Sequence, residues 1–265
     1  MRKEFERVHL TARGKVAVLT MNHPEVLNAI SPRMAGGMMK ALEFAGDTSN
    51  GFRAVVITGE GRGFSSGANL AETSGQSGGP GDAGKHLEQH YHPLLRRIRD
   101  LELPILAAVN GVAAGVGMSI ALMGDLVLAA RSAYFLQAFT RIGLVPDGGS
   151  TWLLPRLIGL ARARELSLLA EKLPAETALE WGLINRVCDD AALLDETVGL
   201  AARLAEGPTI ALAATRSLYW SSPQNTYEEQ LDLERRQQQR AGSTEDFVEG
   251  VSAFLQKRPA RFSGH

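Results

Sequence analysis

Cysteine is almost absent from this 265-residue sequence: Cys188 stands alone, so no disulfide can form within the chain. That composition fits a reducing compartment. Net charge is almost absent as well, with 28 lysines and arginines against 29 aspartates and glutamates. A protein that grips nucleic acid over a broad face is basic, so nucleic acid is not an expected partner. Long apolar runs are also missing. The longest apolar region, Ile105 to Arg131, is broken by Asn110, several glycines and Asp125. It reads as a buried strand–turn–helix–strand and not as a membrane span. The opening Met1-Arg2-Lys3-Glu4-Phe5-Glu6-Arg7 lacks the apolar core of a signal peptide, and a cytoplasmic location is expected.

What is present is an ordinary globular composition, 45% apolar and 22% charged, on a chain long enough to bury a large core without staples. Lys15 to Met21, Arg53 to Thr58, Pro104 to Val109, Asp125 to Ala130 and Tyr134 to Gln137 read as strands. Ser31-Pro32 opens a helix to about Phe44, with serine as the cap and proline in the first turn. Lys85 to Asp100, Gly115 to Met123, Ser150 to Ile158, Ala161 to Ala170 and Ala175 to Trp181 read as helices. Thr73 to Gly84, rich in glycine and serine, reads as a mobile loop. From Leu193 onward no strand is expected, and Glu228 to Arg240 and Glu245 to Gln256 read as helices. The order implies an α/β core over residues 1–200 and a helical C-terminal region over 201–265.

Three motifs invite chemical readings that the sequence does not sustain. Gly63-Phe64-Ser65-Ser66-Gly67 fits the nucleophile elbow of serine hydrolases, but a glycine-rich stretch soon follows where a helix is needed, and the only late histidine is His265. Gly59, Gly61 and Gly63 miss the dinucleotide fingerprint because residue 64 is Phe. His86, Glu88, His90 and His92 have neither zinc-motif order, so a solvated helix face is expected and no metal. Two glycine-rich turns remain: Ser65-Ser66-Gly67-Ala68-Asn69-Leu70, and Asn110-Gly111-Val112-Ala113-Ala114-Gly115-Val116-Gly117 before a helix. Small residues let a ligand approach the backbone, and two amides aimed at one oxygen make an oxyanion hole. Tight packing of turns accounts for the same composition.

At these residues the chain resembles the crotonase superfamily of enoyl-CoA hydratases and isomerases. Asn22-His23-Pro24-Glu25-Val26-Leu27-Asn28-Ala29 is similar to its first signature, with His23 in place of arginine. Thr58 to Leu70 is similar to its second, with Asn69 in place of aspartate, and Ala107-Ala108-Val109-Asn110-Gly111 to its third. The likeness runs through Phe254-Leu255-Gln256-Lys257-Arg258-Pro259. It implies an α/β fold, a crotonase-like spiral of ββα turns with a helical C-terminal region, assembled as a homotrimer or a dimer of trimers. It implies an acyl-CoA substrate, with coenzyme A entering only as part of that substrate and no separate cofactor. The oxyanion amides carry over to Ala68 and Val116. Val26, Ser66, Asn69, Leu70, Gly115, Phe139 and Lys257 carry over as residues around the thioester, its acyl group or its nucleotide, and Arg62 is a further local cation.

Hydratases of this family use two glutamates, and here those positions fall at Ser119 and Phe139. Neither side chain can take and return a proton as a carboxylate does. Asp147, in Leu144-Val145-Pro146-Asp147-Gly148-Gly149, is the carboxylate nearby. It reads either as a cap for the next helix or as a single base that moves a proton between two carbons. Gly143 to Asp147, Thr151 to Arg156, Gln230 to Arg235 and Glu249 to Leu255 resemble the branch of the superfamily formed by the epoxyphenylacetyl-CoA isomerases of phenylacetate degradation. There the catalytic aspartate carries over to Asp147. The expectation is an acyl-CoA isomerase; a hydratase acting on an unusual enoyl-CoA and a non-catalytic acyl-CoA binder are the alternatives.

Overall fold

The computed structural model describes residues 1–73 and 82–265. In chain order its strands are β1 (Arg2–Phe5), β2 (Val8–Arg13), β3 (Val16–Met21), β4 (Ala54–Gly59), β5 (Gly63–Ser65), β6 (Ile105–Val109), β7 (Val112–Ala114), β8 (Leu126–Ala130), β9 (Tyr134–Leu136), β10 (Leu173–Pro174) and β11 (Arg186–Cys188). They form a large sheet in the order β1-β2-β3-β4-β6-β8-β11 and a small one in the order β10-β9-β7-β5. The first three strands run antiparallel, and from β3 onward the large sheet is parallel. Three times a strand of the large sheet is followed at once by a short strand of the small one: β4 then β5, β6 then β7, β8 then β9. Each return to the large sheet advances by one position, which gives the expected spiral. β3, β4 and β6 are buried along their whole length. They read as continuous apolar runs because both faces of a parallel sheet are covered.

Several elements differ from the sequence reading. β1 and β2 were not expected; β1 is a largely exposed edge strand of charged residues, ordered by pairing with β2. β5 and β7 have three residues each, too few for a period to register. The expected helix over 85–100 is interrupted: Ala83–His86 and His92–Asp100 are α-helical, and between them Leu87–Tyr91 makes a π-helical turn. Most of the stretch 73–84, read as a loop, lies outside the described residues, while Leu70–Thr73 is helical. The helices expected on either side of residue 159 abut, with Gly159 left in a non-helical conformation between them.

No strand follows β11, as expected. The helix Leu193–Ala205 buries Leu193, Thr197, Ala201 and Ala205 against the large sheet. The change from core to appendage expected at residue 200 therefore falls inside a helix that belongs to the core. The helices Thr209–Ser221, Tyr227–Gly242 and Glu245–Leu255 follow. Arg216 fastens them: it donates to the Asp125 carboxylate (2.7 Å) and to the carbonyls of Ile98 (2.6 Å) and Leu101 (2.9 Å). Arg53 does the same from β4's end, donating to the Thr209 hydroxyl (2.8 Å) and the Phe262 carbonyl (3.0 Å).

Candidate active site

The two glycine-rich turns meet. Gly67, at φ +100°, sits so that a Cβ there would come within 3.7 Å of the Gly115 Cα. Gly115 in turn has φ +51°, a conformation open to glycine and costly to other residues. The residue after each glycine presents an unused amide. Ile30 and Ala68 form an isolated parallel bridge. In it the Ile30 N–H donates to the Gly67 carbonyl (2.7 Å), and the Ile30 carbonyl accepts from the Asn69 N–H (3.0 Å). That pattern turns the N–H of Ala68 away from Ile30. Val116 opens the buried helix Val116–Leu122, whose start carries no side-chain cap, so its N–H is one of the donors every helix leaves unpaired. Among the described residues neither amide has an acceptor.

Asp147 is brought near Val116 by the residue that follows it. Its neighbour Gly148, at φ +61°, packs so closely that a Cβ there would lie 2.8 Å from the Ser119 Cβ and 3.4 Å from a Val116 methyl. The Asp147 carbonyl accepts from the hydroxyls of Ser119 (3.2 Å) and Ser150 (2.8 Å) and from the Ser150 N–H (3.0 Å). The helix Ser150–Leu169 begins at Gly149 with no side-chain cap, and among the described residues no capping bond from the Asp147 carboxylate is present. Its Oδ1 is buried and has no hydrogen-bond partner. Burial alone pushes its pKa up to about 6, because removing a carboxylate from water penalises the charged form. A base poised near neutrality can both take a proton and give it back. Phe139, in the short 3-10 turn Ala138–Ile142, is buried with its ring edge toward Gly115. The Tyr91 hydroxyl donates to the Ile30 carbonyl (2.9 Å), and the Asp147 charge helps burial to hold that phenol above its ordinary range.

Residues 11–265 match the family model described as Enoyl-CoA hydratase/isomerase. The chain belongs to that family. It is 46% identical over 250 residues to the 1,2-epoxyphenylacetyl-CoA isomerase of Escherichia coli K12, spanning 94% of this chain and 95% of that one. It is 45% identical over 253 residues to a probable enoyl-CoA hydratase of Rhodobacter capsulatus, spanning 94% and 95%. Among solved structures, an enoyl-CoA hydratase subunit from Geobacillus kaustophilus superposes with a TM-score of 0.91 at 32% identity, covering 99% of this chain and all of that one. The fold is the crotonase fold.

The other residues singled out from sequence scatter around the Ala68 turn or away from it. Val26 and Leu70 are exposed, and Ser66 donates its hydroxyl to the Val26 carbonyl (2.9 Å), so these three form an open rim. Asn69 is buried, and its side chain bonds Glu72, both to the carboxylate (3.0 Å) and from the backbone N–H (3.3 Å). Lys257 and Arg62 are exposed; Lys257 lies beyond the end of the helix Glu245–Leu255, and no hydrogen bond or ion pair ties its ammonium to the site among the described residues. Ser65 is no nucleophile. It is fully buried, and its hydroxyl donates to the Asn28 carbonyl (2.8 Å). The histidines gather no metal set among the described residues. Yet His86 is half-buried: its Nε2 is shielded from solvent and its ring meets Tyr91 edge-on at 5.1 Å. Asn28 entered the sequence reading only as part of a signature, without a role, and Tyr91 was not singled out. Asn28 clamps the strand before Ala68 by donating to the carbonyls of Glu60 (2.9 Å) and Gly63 (2.7 Å).

Proposed function

We propose that the protein is an acyl-CoA isomerase that works through an enolate. The thioester oxygen lies between the N–H groups of Ala68 and Val116. The Asp147 carboxylate removes a proton from the carbon α to the thioester carbonyl; the C–H pair forms the Cα=C bond of the enolate and the carbonyl π pair moves onto the oxygen. The same carboxyl returns the proton to a different carbon as the enolate collapses. No water is consumed, and no atom is gained or lost. The observation that carries this reading is the Asp147 side chain: a buried, unpartnered carboxylate oxygen with a pKa of about 6, next to Gly148, which packs against Val116. Ser119 and Phe139, at the positions where hydratases of the family carry carboxylates, supply no base that would activate water.

The substrate class favoured is an aromatic-ring epoxide CoA ester, with 3-enoyl-CoA esters as further substrates. Support comes from the 46% identity with the Escherichia coli 1,2-epoxyphenylacetyl-CoA isomerase. Hydration of an unusual enoyl-CoA is the second reading, favoured by the name of the Rhodobacter capsulatus relative. A panel of CoA esters separates them. Turnover of 1,2-epoxyphenylacetyl-CoA or a cis-3-enoyl-CoA without incorporation of solvent oxygen is the expected result. Hydration of a 2-enoyl-CoA alone would move the chemistry to the second reading, and thioester binding with no turnover would leave a binder.

A further inference from the structure

We infer that Tyr91 is a positioning residue for the oxyanion site, acting through the Ile30 carbonyl to hold the Ala68 amide in place. The inference rests on the acyl-CoA reading above. Ala68 pairs with its neighbour through one isolated bridge and not a continuous ladder, further bonds of the turn being made two residues earlier, by Ser66 to Leu27 and Val26. The residue before it, Gly67, has a backbone conformation with wide freedom. The direction of the Ala68 N–H therefore depends on how firmly Ile30 is held. Ile30 is fully buried, and its carbonyl takes two donors, the Asn69 N–H at 3.0 Å and the Tyr91 hydroxyl at 2.9 Å. The first belongs to the turn itself. The second comes from a different element and anchors the bridge to the body of the protein.

The π-helical turn Leu87–Tyr91 explains how a tyrosine reaches that carbonyl. Its wider hydrogen bonding adds a residue to the turn and rotates the later part of the helix by roughly 100° relative to an unbroken α-helix. Such turns inside helices are frequent at functional sites. The His86 ring packs edge-on against Tyr91 and helps to close it off from solvent. The phenol has one proton, and it is committed to Ile30. Burial and the Asp147 charge keep that proton in place. Tyr91 therefore does not donate to Asp147 and leaves the carboxylate as the mobile proton carrier.

A buried tyrosine that merely satisfies its hydroxyl would show the same contact. The two roles differ in what Tyr91→Phe changes. The ring stays, and the Ile30 carbonyl keeps its Asn69 donor, so the variant folds. The informative readout is the absorption band of a bound aromatic enoyl-CoA thioester, which shifts to the red when amide donors polarise its carbonyl. Wild type should show the shift. Tyr91→Phe should bind the thioester within about twofold, show a smaller shift, and lose roughly tenfold in kcat with KM little changed. That is less than the ~10²–10³ that deleting an oxyanion donor costs. An unchanged shift and kcat in Tyr91→Phe would overturn the inference. So would loss of the folded state, which would assign the hydroxyl to the fold. No shift in wild type would instead overturn the acyl-CoA reading on which it rests.

Discussion

The Ser119 hydroxyl donates to the backbone carbonyl of Asp147 at 3.2 Å. Ser119 thus supports the backbone of the residue proposed as the base. The Asp147 carbonyl keeps two further donors, both from Ser150. Ser119→Ala should therefore cost about 0.5–1.5 kcal/mol of stability and leave isomerase turnover within a few fold. Turnover and a denaturant titration on the same preparation check both parts. Collapse of activity in Ser119→Ala with the fold intact would place the essential group at the hydratase position.

Asp147→Asn should bind thioesters as wild type does and lose turnover by ~10²–10⁴, the usual worth of a general base. The amide is nearly isosteric but takes no proton at neutral pH. In wild type, kcat/KM should fall tenfold per pH unit below about 6, as the base becomes protonated. A profile flat from pH 5 to 8 would remove Asp147 from the proton transfer.

The same carboxylate should weaken the fold at neutral pH. Its folded pKa, about 6, is raised above the ordinary 3.8. Its contribution is then present in full below 3.8 and lost as pH rises through 6, because the ionised form is the one burial penalises. Asp147→Asn should accordingly be more stable than wild type at pH 8, by about 1–3 kcal/mol at 1.36 kcal/mol per unit, and nearly equal to it at pH 4. Denaturant unfolding at the two pH values tests the crossover. A variant less stable at pH 8 would mean that the carboxylate caps or bonds something after all.

The α/β core was legible because β3, β4, β6 and β8 are apolar runs, a pattern that survives without knowledge of what packs on them, whereas the spiral came only from the family likeness. The Ala68 and Val116 amides were legible only through the family likeness, since composition alone cannot tell a binding turn from a tight one. Tyr91 was not legible. Its role depends on a π-helical turn and on a carbonyl 61 residues away, and neither leaves a local pattern. The charged β1 was missed because its strand character comes from β2 and not from its own residues.

Gly67→Ala should harm the site more than its size suggests. A methyl at φ +100° is strained and would stand 3.0 Å from the Ala114 carbonyl oxygen. The strain is on the order of 1–3 kcal/mol, and relief by rotation would swing the next amide, that of Ala68. Thermal unfolding should shift modestly while kcat falls more than stability does. Equal turnover in Gly67→Ala would show that the Ala68 N–H does not bear on the reaction.

The helix Glu245–Leu255 carries an apolar face that is largely exposed. Phe247, Val248, Val251, Phe254 and Leu255 recur at helical spacing, and Phe254 and Leu255 are 81% and 73% exposed. A patch of this kind on one face marks an interaction surface, because leaving it in water forfeits about 25 cal/mol for each Å² of apolar area. We expect it to be covered by a second copy of the chain, in a trimer or a dimer of trimers. Phe254→Glu puts a charge at the most exposed position and should shift the assembly toward monomer in sedimentation or light scattering at micromolar concentration. Lys257 lies two residues past the end of that helix, so the same variant tests whether its ammonium serves a neighbour's nucleotide. If it does, Phe254→Glu and Lys257→Ala should each weaken CoA-thioester binding, and the double variant should be no worse than Phe254→Glu alone, since dispersal already removes the lysine. A wild-type monomer, or a dispersed Phe254→Glu that binds thioester at full affinity, would confine the site to a single chain.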